Sequence, residues 1–347
     1  MELSVQIRKK LRDFELDVAF ETGSEVFALL GASGCGKSMT LRCIAGIETP
    51  DCGRIVLNGR TLYDSAQGIC LKPQQRRVGY LFQNYALFPN MTVAENIRFA
   101  ASGSREEQEK KVKENLVRFS LEELKDAYPA ELSGGQQQRV AFARILVSSA
   151  ELLLLDEPFS ALDGYMKWQL EMELSEVLKS YDGTALLVSH DRGEVFRLAD
   201  KAAVIHRGKM EPVHTKHGLF RQPDTLAATI LTGCKNITQA RRLDMHHIYA
   251  ADWNMVLETE QEVPANVRYA GVRAHFLHRS REMEPNVFPM DVIRVIEDTF
   301  SYLIMVRRKG MQGRMICWEV PKEEWEPSVS AELFLRFPAD EIMLMER

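Results

Sequence analysis

Along its first thirty residues the chain alternates apolar and polar positions, with Leu3, Val5 and Ile7 in one run and Phe14, Leu16, Val18 and Phe20 in a second. Alternation of this kind turns one face of an extended segment inward. The two runs therefore predict an antiparallel edge sheet leading into the apolar stretch Val26–Leu30. A glycine-rich turn follows, and from residue 37 to 45 the period becomes helical until Gly46 ends it; Pro50, Gly53 and Gly59 then bracket a short strand at 55–57. Residues 104–119 predict an exposed helix, with Ser104 and Glu107 spaced for a capping box and the pairs Glu106/Lys110 and Glu107/Lys111 spaced for ion pairing. The runs at 152–155 and 185–188 are apolar throughout, as strands covered on both faces of a parallel sheet must be. Helices between them predict a parallel α/β core. Beyond about residue 230 short alternations at 291–296, 302–306 and 315–320, separated by Gly310, Gly313 and Pro321, predict a separate β-rich domain. Gln222, Pro223 and Asp224 mark the start of its linker.

Length agrees with that division, since 347 residues make two domains at roughly 100–200 residues each, and a small stapled scaffold is excluded. Lys+Arg 44 against Asp+Glu 49 leaves a net charge of -5, so no global basic field recruits nucleic acid, which is not an expected partner. Charged residues at 27% and hydrophobic residues at 45% are those of a folded globular chain. No apolar run reaches the roughly 18 residues of a membrane span, and the opening lacks the apolar core of a secretory signal, so a cytoplasmic protein is expected. Six cysteines without a CxxC pair give neither a zinc pattern nor a disulfide framework and read as small buried residues.

Candidate chemistry begins where the third strand ends. Gly31, Ala32, Ser33, Gly34, Cys35, Gly36, Lys37 and Ser38 fit the pattern GxxxxGK[ST], after a strand and opening a helix, with Met39 continuing into that helix. Glycines let successive N–H groups curl toward phosphate oxygens, and the helix N-terminus adds the positive end of its dipole. Lys37 supplies a point charge to the β- and γ-phosphates, and Ser38 offers its hydroxyl to Mg²⁺. A second buried strand, 152–155, runs into Asp156 and Glu157. Asp156 is placed to bind Mg²⁺, directly or through water, and Glu157 to polarise the water that attacks the γ-phosphate.

Between these lie Leu132, Ser133, Gly134, Gly135, Gln136, Gln137, Gln138 and Arg139, a Ser-Gly-Gly turn opening another helix and so a second anion-binding terminus in one domain. This resembles the signature motif of ATP-binding-cassette (ABC) ATPases. The resemblance implies ATP as cofactor and a homodimer in which Ser133, Gly134, Gly135 and Gln136 of one subunit close over the ATP held by the other. On the same resemblance, Gln83 is the glutamine that reaches Mg²⁺ and the attacking water, Asp163 stands in the loop crossing the dimer interface, and His190 is the switch histidine at the γ-phosphate. The segment 87–96 is similar to the one that receives a short helix of the transmembrane partner in importers. Leu11 stands at the usual place of the adenine-stacking aromatic residue, with Phe14 the nearest aromatic.

The implied fold is an α/β P-loop ATPase, an ABC cassette over 1–230 with a RecA-like core, an antiparallel β subdomain and a helical subdomain at about 85–150. A small all-β, oligonucleotide-binding-like barrel follows over 231–347. It resembles the regulatory domains of importer ATPases. Within that group residues 4–18, 231–237 and 271–275 look most like molybdate importers, with sulfate or thiosulfate, tungstate, ferric iron, polyamine and sugar importers as the alternatives. The implied partners are transmembrane permease subunits and, indirectly, a solute-binding protein, which puts the chain at the cytoplasmic face of the inner membrane. A soluble ABC ATPase is disfavoured, because there is one cassette and no long heptad array in 39–132.

Overall fold

The computed structural model describes residues 2–160, 164–282, 284–325 and 332–346. The chain divides into two compact units, Met1–His217 and Gly218–Arg347, so the division falls earlier than the change of texture near 230. The reason is local: the helices that bridge the two textures, Lys216–Arg221 and Leu226–Leu231, lie at and after the division.

The first unit is built on one twelve-stranded sheet. Its antiparallel part holds β1 (Leu3–Lys10), β2 (Glu15–Thr22), β4 (Cys52–Leu57), β5 (Arg60–Asp64) and β6 (Ile69–Cys70), in the order β6-β5-β4-β1-β2. The alternation read from the sequence is borne out here: Leu3, Val5 and Ile7 of β1 and Leu16, Val18 and Phe20 of β2 are buried, while Phe14 falls in the bend before β2. Beyond these lies the parallel core, β10 (Lys201–His206), β3 (Val26–Leu30), β9 (Thr184–Ser189), β8 (Leu152–Asp156) and β7 (Val78–Leu81). Every residue of β3, β8 and β9 is buried, which is why those stretches read as continuous apolar runs. The short strand β11 (Lys209–Met210) pairs with both β10 and β2 and joins the two parts, and the twelfth strand, β12 (His214–Thr215), pairs with β10.

Helix α1 (Lys37–Ala45) follows the glycine turn and ends at Gly46, whose left-handed backbone sends its N–H to the carbonyls of Arg42 and Cys43. A buried arginine adds further donors at this end of the helix. Arg76, 1% exposed, donates from Nη1 to the Cys43 and Ile44 oxygens at 2.9 and 2.8 Å and from Nε to Leu71 O at 2.9 Å. A Cβ on residue 46 would lie 2.5 Å from Arg76 Nε, so Gly46 is needed for close approach as well as for its φ of 78°.

The helical part comprises α2 (Val93–Ala100), α3 (Arg105–Arg118) and α4 (Gly134–Val147), within the span read from the sequence. The capping box on Ser104 and Glu107 forms, but the two expected ion pairs are not the contacts these residues make. Glu107 accepts from the Ser104 N–H at 2.7 Å, Lys111 donates to Ser102 O at 3.0 Å, and Lys110 lies 4.0 Å from Glu114. The cap wins because it satisfies a backbone donor the helix leaves orphaned, whereas an exposed pair gains little. Helices α5 (Gly164–Lys179) and α6 (Arg192–Leu198) complete the cassette.

The second unit is all-β apart from the short helices at its start. It is formed by β13 (Asn236–Arg242), β14 (His247–Ala250), β15 (Met255–Glu258), β16 (Tyr269–Val272) and β22 (Met343–Met345) in one antiparallel sheet, and β17 (His278–Arg279), β18 (Val287–Glu297), β19 (Ser301–Arg308), β20 (Ile316–Pro321) and β21 (Leu333–Arg336) in the other. They share one core, with Trp253, Leu257, Val272, Ile304, Trp318 and Phe337 at its centre, as a small nearly closed barrel does.

Replacing Arg76 by Met should lower unfolding stability by about 2–5 kcal/mol, because two buried carbonyls and a partly buried one lose a charged donor. Urea denaturation followed by circular dichroism measures this; an unchanged midpoint would contradict the capping role.

Candidate active site

The phosphate loop is shaped by two left-handed glycines, Gly34 at φ 78° and Gly36 at φ 111°. Gly31 is required for a different reason, since a Cβ there would lie 2.6 Å from both Cys35 Sγ and Ile205 O. The first bond of α1 runs from Thr40 N to Gly36 O at 3.0 Å, so the N–H groups of Lys37, Ser38 and Met39 precede it, at the end where a helix binds anions. The Met39 side chain packs against the sheet core, which leaves its backbone N–H as the group it can offer. Cys35 is buried, and burial pushes its thiol up, so it stays a neutral wall of the loop.

The Lys37 ammonium donates to the carbonyls of Gly31 and Ala32 at 2.8 and 2.9 Å and lies 3.7 Å from Glu157 Oε1. Ser38 Oγ donates to Asp156 Oδ1 at 2.7 Å. The other oxygen of Asp156 accepts from the Tyr80 hydroxyl at 2.8 Å, a contact not anticipated from the sequence. Burial and the adjacent carboxylate push the Tyr80 phenol up, so it remains a donor. Tyr80 sits on β7, in register with Leu154 of β8, and sequence spacing gave no signal of that neighbourhood.

Asp156 ends β8 and pairs with Val188 of β9. Glu157 leaves the strand through a left-handed backbone, φ 45°, with its N–H on Val188 O at 3.0 Å. That turn carries its side chain to Lys37 on one side and to His190 on the other, where Oε2 lies 3.2 Å from Nδ1. His190 follows directly on β9, beside β8, so parallel pairing alone brings it to the same edge. The structure thus gathers Lys37, Ser38, Asp156, Glu157 and His190. Gln83 Nε2 donates to Ser160 Oγ at 3.2 Å, and Ser160 Oγ donates to Glu157 O at 3.1 Å, which ties the Gln83 loop to the same turn. Asp163 lies outside the described residues.

The signature residues form a separate terminus. Ser133 caps α4, its N–H going to Gln136 Oε1 at 2.8 Å while its Oγ accepts from Gln136 N at 3.4 Å, so the Gln136 side chain is committed to the cap. Gly134 opens the helix, and a Cβ on Gly135 would meet the Met166 methyl of α5 at 2.4 Å. Two further residues shape the region without having been expected. Gln138 donates to Pro158 O at 2.7 Å, and Arg144 donates to the carbonyls of Tyr85 and Ala86, the consecutive left-handed residues after Gln83.

Comparison with known proteins follows the same outline. The family model described as ABC transporter matches residues 15–160. The spermidine/putrescine import ATP-binding protein of Hahella chejuensis is 36% identical over 326 residues, covering 92% of this chain and 85% of that one. The chain belongs to the ABC transporter ATP-binding family. It is thereby an ATP-binding, ATP-hydrolysing cassette subunit with a further all-β domain. The Fe(3+) ions import ATP-binding protein of Haemophilus influenzae is 40% identical over 232 residues, 66% of each chain, so the match spans about two thirds of that relative. Among solved structures, the dimeric ATP-binding cassette MJ0796 bound to ADP and phosphate is similar at a TM-score of 0.53 and 26% identity, covering 62% of this chain and 99% of the other. Among the described residues, no helix of this ABC subunit is long and apolar enough to cross a membrane.

Replacing Lys37 by Ala removes the cation at the centre of the loop and should weaken ATP affinity at least about tenfold. Fluorescent-nucleotide titration reads this, and unchanged affinity would remove Lys37 from the phosphate site.

Proposed function

We propose that this chain is the ATPase subunit of an importer: a homodimer at the cytoplasmic face of the membrane, bound to permease subunits and driving uptake of an oxyanion, molybdate foremost. The observation that carries the ATPase part is the set of Lys37, Ser38, Asp156, Glu157 and His190 around one turn. The phosphate loop holds the triphosphate through backbone N–H groups and Lys37. Glu157 orients the attacking water and accepts its proton, and His190, against the other oxygen of that carboxylate from Lys37, would contact the γ-phosphate. Catalysis here is positioning and charge stabilisation, with little covalent work for the protein.

The Ser38 hydroxyl and Asp156 carboxylate, 2.7 Å apart, are an all-oxygen pair beside the loop, which suits Mg²⁺ and no softer metal. They would hold it, with Gln83 nearby, and when bound it neutralises charge on the β- and γ-phosphates. Ser133, Gly134, Gly135 and Gln136 of a second copy would complete the site, and Asp163 would lie along the contact. Only a dimer that binds ATP better closed than open can shift the transporter between its states.

The permease would dock at residues 87–96. There the Phe88 ring, under the Arg144 guanidinium, meets the ring of Phe99 of α2 at a tilt of 60° with centroids 4.6 Å apart, and Phe99 is 64% exposed. The buried Asn96 side chain accepts from Phe88 N and donates to the carbonyls of Phe88, Met91 and Thr92, which holds the loop in one shape.

The molybdate reading rests on the resemblance of residues 4–18, 231–237 and 271–275. The second reading, favoured by the named relatives, keeps the ATPase and changes the cargo to a polyamine or ferric iron. Glu157→Gln keeps the shape of the side chain and removes the base. It should slow hydrolysis by about 100-fold or more while ATP still binds and a dimer accumulates on size exclusion; near-normal turnover would overturn the ATPase roles. For cargo, ATPase activity of the importer reconstituted with its permease and binding protein should rise with micromolar molybdate or tungstate. Stimulation by spermidine or ferric iron instead would transfer the assignment to the second reading.

A further inference from the structure

Lys167 lies on α5, away from the phosphate loop, in a cluster the proposed ATPase mechanism does not use. Its ammonium is 2.5 Å from Asp191 Oδ2 and 2.6 Å from Glu194 Oε1. These carboxylates flank His190 on its C-terminal side. Asp191 caps α6 by accepting from the N–H groups of Gly193 and Glu194 at 2.7 and 3.3 Å. The second oxygen of Glu194 accepts from Ser189 Oγ at 2.6 Å, and Ser189 Oγ in turn accepts from Asp191 N at 2.9 Å. The residues on both sides of His190 are therefore fixed by one network, whose cation comes from another helix. His190 itself is exposed, with Glu157 as the charged group against its ring, so its position follows from its neighbours. Burial pushes the Glu194 carboxyl up despite Lys167 and Ser189, while Asp191, also partly buried, is held below the usual carboxylate range by Lys167 and two backbone N–H groups. Without Lys167 a nearly buried carboxylate would lose its counter-charge and its reason to hold Ser189.

The same helix carries contacts to the signature. Met166 and Leu170 cover Gly135, and Glu173 accepts from Arg139 of α4 at 2.6 Å. A second pair, Glu171 with Arg197 at 2.5 Å, locks α5 to α6. Successive turns of α5 thus touch the residues that would close on a partner's nucleotide and the residues that aim His190.

We propose that Lys167 is a positioning residue that sets His190 against Glu157, so that turnover at one nucleotide depends on how α5 and the signature helix are seated. This rests on the role of His190 in the proposed mechanism. A small displacement of a group in the reacting set costs rate far more than it costs ligand affinity.

Three variants test it in steady-state ATPase assays: Lys167→Met, Lys167→Arg and Asp191→Asn. Asn still caps a helix, but with Oδ1 kept by the cap its amide nitrogen faces Lys167, so the Lys167–Asp191 contact is lost while the cap and the Lys167–Glu194 contact are retained. Lys167→Met should lower kcat at least about tenfold, and Asp191→Asn, which keeps the Lys167–Glu194 pair, at least about threefold, each with KM for ATP within about threefold of wild type. Lys167→Arg should keep more than about half of kcat, since it restores the charge. The double variant Lys167→Met/Asp191→Asn should fall no lower than Lys167→Met, because with Lys167 gone the Asp191 carboxylate has no cation to lose. Turnover of Lys167→Met within about twofold of wild type, a KM rise that accounts for the loss, or multiplicative losses in the double variant would each overturn the proposal. If Lys167→Met does not fold, Lys167→Arg and Asp191→Asn still decide it: a fully active Asp191→Asn overturns it. Wild-type protein without ATPase turnover would refute the underlying mechanism, whereas normal wild-type turnover with unaffected variants refutes the positioning role alone.

Discussion

Two carboxylates adjacent in sequence, one buried and one partly so, stand in one corner of this protein, and the backbone between them determines what each can do. Asp156 ends its strand in ordinary extended geometry and meets Ser38 and Tyr80. One residue later Glu157 adopts a left-handed conformation, which costs a non-glycine residue about 1–2 kcal/mol. The flanking bonds over-determine that turn, Glu157 N to Val188 O and Ser160 N to Glu157 O, at 3.0 and 3.2 Å. The second carboxylate is thereby sent to Lys37 and His190 while the first stays with the hydroxyls. Both groups keep a positive or donating partner, which is how two like charges can share a site. The parallel register of β7, β8 and β9 exists on either side of this turn and supplies Tyr80 and His190 to it.

Much of this was legible in the chain. The phosphate loop needs glycines at fixed offsets, and the strand before Asp156 must be apolar on both faces, so both features are written as local patterns. The N-terminal alternation placed Leu3, Val5, Ile7, Leu16, Val18 and Phe20 inward, and Ser104 with Glu107 formed its cap. What could not be read depends on proximity between distant segments. Tyr80 reaches Asp156 only through strand pairing, Arg76 reaches the end of α1 only through the fold of the intervening loop, and Lys167 meets Asp191 only because two helices pack together. The Glu107/Lys111 pair expected on α3 failed for the opposite reason, since nearby backbone groups took both side chains, and Lys110 turned to Glu114 instead of Glu106. The cargo is not inscribed in the nucleotide site at all, because the groups gathered there are suited to phosphate, a hard metal ion and water.

The C-terminal unit has a different logic. Its two sheets need each other's inner faces, and Trp253, Trp318 and Phe337 fill a core the cassette does not share. A domain with its own core can diverge in surface while the nucleotide site stays constant, which fits a chain whose ATPase motifs are sharp and whose tail is recognised by texture.

Asn96 shows how the cassette handles force. An amide with no exposure, satisfied on both its oxygen and its nitrogen, ties the backbone at Phe88, Met91 and Thr92 to the first turns of α2. A loop held at so many points has low compliance. Displacement applied to Phe88 would then move α2 with the loop, since the bonds through Asn96 leave little room for local rearrangement between them.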